Sequence, residues 1–233
     1  MDISSTQIRW ILIYLFVLVI SVALHEFGHA FMADRLGDDT PRRQGRVTLN
    51  PLAHADLLGT FILPLVGGIY GAATGFGGGF GWGKPVEWQP HRVGRKVSVA
   101  TAKVLVAIAG PTMNVVLAVV IATAHVVLLA HHVIAPSHDI SLPGASEILA
   151  FAVTTNFMLF FFNLLPLPPL DGGHVAQSFT PYRHREKFDA FARFAPFILL
   201  AIMLTPPMQR IFAWPAMFLS EHLYRGLAHV FMS

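Results

Sequence analysis

Long apolar runs, separated by short polar or glycine-rich stretches, set the pattern of this chain. The first runs from about Ile8 to Ala33, and Trp10–Leu24 within it carries no charge. A bilayer crossing takes about 20 mostly apolar residues, so this run is predicted to be a membrane helix. Val104–Ala130 is a second predicted span, in which His125 is the only ionisable residue. Ile148–Leu165 is a third. Phe188–Leu204 is a fourth, stopped by Pro206-Pro207, and Ile211–Phe231 is a candidate fifth. That last run holds Glu221 and Arg225 at i,i+4, so an interfacial helix is its alternative. The stretch Leu57–Tyr70 is apolar but short and contains Pro64, Gly67 and Gly68, and glycine then dominates Gly71–Gly83. Glycine at that density disfavours a regular helix. Irregular backbone at membrane depth survives only where protein buries it or it lines a cavity. The region therefore reads as a re-entrant or interfacial segment that stops short of a full crossing, with short strands allowed.

Composition agrees with the pattern. Hydrophobic residues make up 54% and charged residues 12% of 233, too few charges to cover a soluble globule of one domain. Disorder, collagen and coiled coil are excluded by the same figures. The expected architecture is an all-α polytopic membrane protein of four or five spans, built as a single domain over residues 1–233. A cleaved signal peptide is the competing reading of the first run, because Ser21-Val22-Ala23 imitates a cleavage site. Against it, only Arg9 precedes the run, opposed by Asp2, and the apolar pattern continues through Phe27, Ala30, Phe31 and Met32. With no cysteine, disulfides, thiolate nucleophiles and thiolate metal sites are excluded. The net charge of +3 says little about nucleic acid, and none is expected as a partner. The placement of the basic residues says more. Arg35, Arg42, Arg43, Arg46, Lys84, Arg92, Arg95 and Lys96 lie between the first two strong spans, none lies in His131–Glu147, and Arg183, Arg185, Lys187 and Arg193 follow the third. The positive-inside rule puts the N-terminus outside and the first long loop in the cytoplasm.

The first span contains His25-Glu26-Phe27-Gly28-His29. Histidines at i and i+4 share one helix face, and two imidazoles so placed can bind one metal ion. The glutamate between them can act as general base on a water held there. The bland alternative is a polar helix end facing water. An ionised glutamate near the membrane core costs about 2.5–3.5 kcal/mol on insertion scales, which favours a functional role. A catalytic zinc with two histidines needs a third protein ligand and an open position. Asp171 is the best candidate, in Asn163-Leu164-Leu165-Pro166-Leu167-Pro168-Pro169-Leu170-Asp171-Gly172-Gly173, where prolines and glycines end a helix. A solvated turn is the alternative there. Depth tips the balance. A rise of about 1.5 Å per residue puts His25 roughly 25 Å below Ile8, and Ile148–Leu165 carries the chain about as far inward. One intervening crossing makes these two spans parallel, so both sites lie toward the cytoplasmic side.

His25-Glu26-x-x-His29 on a membrane helix, followed far downstream by Asn-x-x-Pro-x-Pro-x-Leu-Asp-Gly-Gly, resembles the site-2 protease family of intramembrane zinc metalloproteases. Ala109-Gly110-Pro111-Thr112-Met113-Asn114 resembles the family's intervening-helix motif, and Arg46–Leu58 and Gly81-Trp82-Gly83-Lys84-Pro85-Val86 resemble its compact bacterial members. The match extends to about His174. The resemblance implies Zn2+ on His25, His29 and Asp171, Glu26 as catalytic acid/base, and Asn163 as a group that positions or polarises the substrate. It also implies a multi-pass protein of the bacterial plasma membrane that cleaves transmembrane proteins or peptides within the lipid bilayer. Regulated release of membrane-tethered factors, or clearance of signal-peptide remnants, would be its task, without an appended regulatory domain.

Other residues have quieter readings. Asn114 and Gly110-Pro111 suit close helix packing, with substrate binding by Asn114 as an alternative. His54 and Asp56 read as interfacial, with a contribution to the site as the alternative; His174 reads as solvated, with support of the donors or a gate as alternatives; and His131, His132 and His138 read as a solvated outer cluster, with adventitious metal binding as the alternative. Trp82 and Trp88 suit interfacial anchoring. The glycine-rich segment could pair with an unwound substrate as an added strand. Gly78-x-x-x-x-Gly83-Lys84 imitates a phosphate loop, but Pro85 replaces the magnesium-binding hydroxyl, so no nucleotide is expected. The rivals to a protease are a metal carrier and an inactive scaffold for transmembrane helices. Glu26 separates the first, since a carrier needs no general base.

Overall fold

The computed structural model describes residues 4–74, 81–94, 96–136 and 143–232. Among them every regular element is helical. Helix α1 spans Ser5–Arg35. Its start is fixed by Ser4, whose hydroxyl accepts the Gln7 N–H while the Gln7 side chain accepts the Ser4 N–H. Gly37, at φ +107°, lets the chain turn away after the helix. The short α2 (Thr40–Arg43) and a 3-10 turn at Pro51–Ala53 follow. A π-helical stretch, Leu57–Ile62, then leads into α3 (Leu63–Thr74). Helix α4 spans Val99–Ala130 and runs through Pro111. Helix α5 covers Ala145–Asn163 and α6 Asp171–Phe179. The chain ends in α7 (Arg185–Ala192), α8 (Ala195–Leu204) and α9 (Pro206–Phe231).

Helices α1, α4 and α5 are each long and apolar enough to span a membrane, and α8 with α9 forms a fourth span if the bent pair is counted as one. The sequence expectation of four or five spans thus meets three straight helices and one bent pair. The predicted run Phe188–Leu204 is not one helix, because α7 ends at Ala192 and α8 starts at Ala195. Charged Arg193 and Pro196 in the first turn of α8 account for that break. Leu57–Ala72 is a continuous apolar helix. At about 1.5 Å per residue it reaches roughly 24 Å, short of a core about 30 Å thick. No strand occurs in this region among the described residues. Leu63, Leu65, Val66 and Ile69 are exposed, and an apolar segment with such a surface satisfies its backbone internally by staying helical. Gly77–Gly79, the heart of the glycine-rich stretch, lies outside the described residues, as do Gly78 of the phosphate-loop mimic, Arg95 and His138.

Helix α4 is the hub and packs against α1, α5, α6 and α9. Its pairing with α1 is antiparallel, since Gly28 meets Ala109 while His29 meets Val106 and Ser21 meets Asn114. Its pairing with α5 is antiparallel too, with Asn114 beside Asn156 and His125 beside Ser146. Helices α1 and α5 therefore run the same way, as their depths require. In lipid, such helices associate through close contact and interhelical hydrogen bonds. A Cβ on Gly28 would lie 2.6 Å from the Ala109 carbonyl oxygen, so only glycine permits this approach. Ala118 and Ala122 of α4 do the same against Val153 and Phe157 of α5 and Ala216 of α9. A second cluster, Phe162, Leu170, Leu199, Ile202 and Phe212, ties the end of α5 to α8 and α9.

Candidate metal centre

The residues that carry chemistry come from three places. His25 and His29 project from α1 toward α4, and Asp171 opens α6 just beyond the end of α5. His25 Nδ1 lies 2.8 Å from Asn114 Oδ1. The amide orientation of Asn114 is settled by its other contacts, since Nδ2 donates to the Ser21 carbonyl at 3.2 Å and to Asn156 Oδ1 at 3.0 Å. His29 Nδ1 lies 2.7 Å from the Val106 carbonyl. Both partners only accept, so each Nδ1 carries a ring proton, which leaves Nε2 as the ring atom that presents a lone pair when the imidazole is neutral.

Those lone pairs converge. The two Nε2 atoms are 3.1 Å apart. Asp171 Oδ2 is 3.1 Å from His25 Nε2, and Oδ1 is 3.3 Å from His29 Nε2. Asp171 Oδ2 is buried and receives no hydrogen bond. Three acceptors facing one another repel unless a cation lies between them. Tetrahedral zinc with N and O ligands at 2.0–2.2 Å sets its donors roughly 3.3–3.5 Å apart, close to the spacing seen. Two neutral imidazoles and a carboxylate are a zinc-type donor set, so the residues present fit that ion.

Glycines make the room. A Cβ on Gly110 would stand 2.3 Å from His29 Nε2 and 2.9 Å from His25 Cε1. On Gly172 it would strike the Leu164 carbonyl oxygen at 2.3 Å, and on Gly173 the Pro168 nitrogen at 2.4 Å. The two glycines after Asp171 let α6 start tight against the preceding loop, which aims the carboxylate inward. Glu26 is 9% exposed, and its chain lies against Gly83, where a Cβ would be 2.8 Å from Glu26 Cγ. A cavity of about 1210 Å³ is lined by His25, Glu26, His29 and Asp171, together with Leu63, Val66 and Tyr70 of α3 and Leu199, Leu200 and Met203 of α8.

Asn163 lines this cavity from the end of α5, with its Nδ2 donating to the Leu159 carbonyl at 2.9 Å. Asn114 is fully buried, and its polar atoms are bonded within the protein. Its partners are His25, Ser21 and Asn156, and its Oδ1 orients the His25 ring. His174 lines the cavity as an exposed residue of α6, and Trp82 and Trp88 line it too. His54 is fully buried and donates from Nε2 to the Thr48 carbonyl. Asp56 caps the π-helical stretch by accepting the Gly59 N–H. His131 and His132 close the far end of α4, away from the donors. Asn156 went unremarked in the sequence. The signal for it was an amide in the middle of the apolar run Ile148–Leu165, which holds one other, Asn163, near its end.

The sequence profile described as Peptidase family M50 matches residues 13–135 and 126–206. YwhC of Bacillus subtilis, named as a zinc metalloprotease, is 34% identical over 198 residues, which cover 85% of this chain and 82% of that protein. Rip2 of Mycolicibacterium smegmatis, named likewise, is 34% identical over 207 residues, covering 84% of this chain and 70% of the relative. Rip2 of Mycobacterium tuberculosis is 32% identical over 193 residues, covering 82% and 66%. No solved structure gives a significant match. The profile match spans the histidines, the central helix and the aspartate alike, and with these relatives it shows that the chain belongs to peptidase family M50, the site-2 protease family of membrane zinc metalloproteases.

Proposed function

We propose that this protein hydrolyses peptide bonds of transmembrane proteins or peptides within or at the edge of the bilayer, with zinc held by His25, His29 and Asp171. The observation that carries the reading is the convergence of three lone-pair donors on a cavity that also contains Glu26. Zinc bound there supplies a lowered pKa for a water and polarisation of a carbonyl. Glu26, one residue from a donor, takes the water's proton and passes it to the leaving amine. Asn163 Nδ2 carries two hydrogens, one of which goes to Leu159. The other is the donor we assign to the substrate carbonyl. The mostly apolar walls from α3 and α8 exclude bulk water and suit an apolar segment. The substrate helix must open at the cleaved bond, because helical peptide groups are already hydrogen-bonded.

The site is assigned to the cytoplasmic side, with the N-terminus outside, because the basic residues cluster in the loops at the donor-bearing end of α1 and after α5. Regulated intramembrane proteolysis or removal of membrane peptide remnants fits such a site. A metal carrier would use the same donors but has no task for Glu26. Glu26→Gln is therefore the test. We expect it to keep bound zinc and to lose peptide cleavage by about 10²–10⁴-fold. Retained cleavage would refute Glu26 as the base.

A further inference from the structure

Two sequence segments have no part in the chemistry so far: Arg46–Leu58 and Gly81–Val86. The fold knots them together beside Glu26. The Arg46 guanidinium is buried, 5% exposed. It donates from Nη1 to the Ala53 carbonyl at 2.7 Å and from Nη2 to the Lys84 carbonyl. The Lys84 N–H donates to the His54 carbonyl at 2.8 Å. On the other side, the Trp82 N–H donates to the Gly59 carbonyl at 3.0 Å, and Thr60 Oγ1 donates to the Trp82 carbonyl at 2.9 Å. Trp82 and Lys84 thus each have both backbone groups bound, Lys84 to Arg46 and His54 and Trp82 to Gly59 and Thr60 of the π-helical stretch. Between them lies Gly83, buried against Glu26 and Val22. His54 is locked in turn by its bond to Thr48. Glu26 and Glu87 are the acids whose field reaches Arg46.

We infer that Arg46, His54 and Thr60 are positioning residues for Glu26: Arg46 and the His54 carbonyl pin Lys84, Thr60 pins Trp82, and Gly83 between them forms a fixed wall behind the carboxylate. The inference deepens the reading above and rests on Glu26 acting as acid/base. A guanidinium suits this place because it forks to two carbonyls at once. A lysine ammonium cannot span both in the same planar way. Glycine suits position 83 because any side chain would push Glu26 aside.

The test uses the absence of native cysteine. In a Glu26→Cys background the only thiol stands where the carboxylate stood, and its modification rate by a small methanethiosulfonate reagent reports how tightly Gly83 covers it. Adding Arg46→Lys should speed modification about tenfold, while zinc content stays at the level of the Glu26→Cys parent. Thr60→Val, which keeps the shape and removes the bond to Trp82, should act in the same direction and serves if Arg46→Lys does not fold. With Glu26 restored, Arg46→Lys should lower kcat on a fluorogenic polyleucine transmembrane peptide by about 10–100-fold with KM unchanged. Unchanged thiol modification in these variants overturns the inference. So does a raised KM at wild-type kcat, which would make the segment a substrate contact instead. If Glu26→Gln stays active, the functional reading fails, and the thiol rates still judge the wall by themselves.

Discussion

At the scale of single residues, the site depends as much on absent atoms as on donors. Gly110→Ala would put a methyl 2.3 Å from His29 Nε2, inside the space the donors share. We expect that variant to purify folded but with little zinc, read by metal analysis. Full zinc occupancy would show that the two imidazoles have room to move apart. Asn114→Ala removes the acceptor that fixes the proton on His25 Nδ1. Loss of such a partner typically weakens metal binding about 10–100-fold, and competition with a zinc-binding dye measures it. His25, Glu26 and His29 were legible because i,i+4 spacing is a local property of a helix. Asp171 was legible through its depth and its proline-glycine surroundings. The bonds from Asn114 to His25 and Asn156 were not, because a helix crossing places them and no local spacing encodes it.

At the scale of elements, the three long spans were legible within a few residues. Their starts lie ahead of the apolar runs, and polar caps fix two of them: Ser4 ahead of α1, and Ser98, which accepts the Thr101 N–H, ahead of α4. The helical form of Leu57–Thr74 was hidden by its glycines, since propensity underrates a helix that must satisfy its own backbone in lipid. The loop that follows α1 has its own pH signature. Burial holds His54 below its ordinary value of 6.5, against the pull of its Thr48 bond and of Glu26, with Arg46 adding to the depression. The folded loop therefore keeps His54 neutral. Above about pH 6.5 this group gives no pH dependence. As the pH falls from 6.5 toward the depressed folded value, the unfolded chain takes up a proton that the folded one refuses, and stability declines. His54→Gln, which can still donate to Thr48, should flatten that part of the profile in thermal unfolding in detergent. An unaltered slope would mean that His54 titrates normally in the fold.

At the scale of the whole molecule, the arrangement brings two histidines of a helix near the N-terminus and a carboxylate from the second half of the chain to one point. The antiparallel hub α4 makes α1 and α5 parallel, which is why their C-terminal ends can share a site. The same topology predicts sidedness. Single cysteines replacing Ser4 and Arg183, both exposed, should label from outside the cell and only after permeabilisation, respectively. The reverse pattern would invert the assigned orientation. The helical class, the order of spans and the donors were legible because apolar run length and basic-loop asymmetry are summed over many residues. The break between α7 and α8 and the bend into α9 were not, because one arginine and a few prolines decide them. The most direct test of the whole account is anomalous diffraction at the zinc edge from the purified protein. We predict one peak about 2.0–2.2 Å from His25 Nε2, His29 Nε2 and an Asp171 oxygen. Zinc bound elsewhere, or on the two histidines without Asp171, would contradict it.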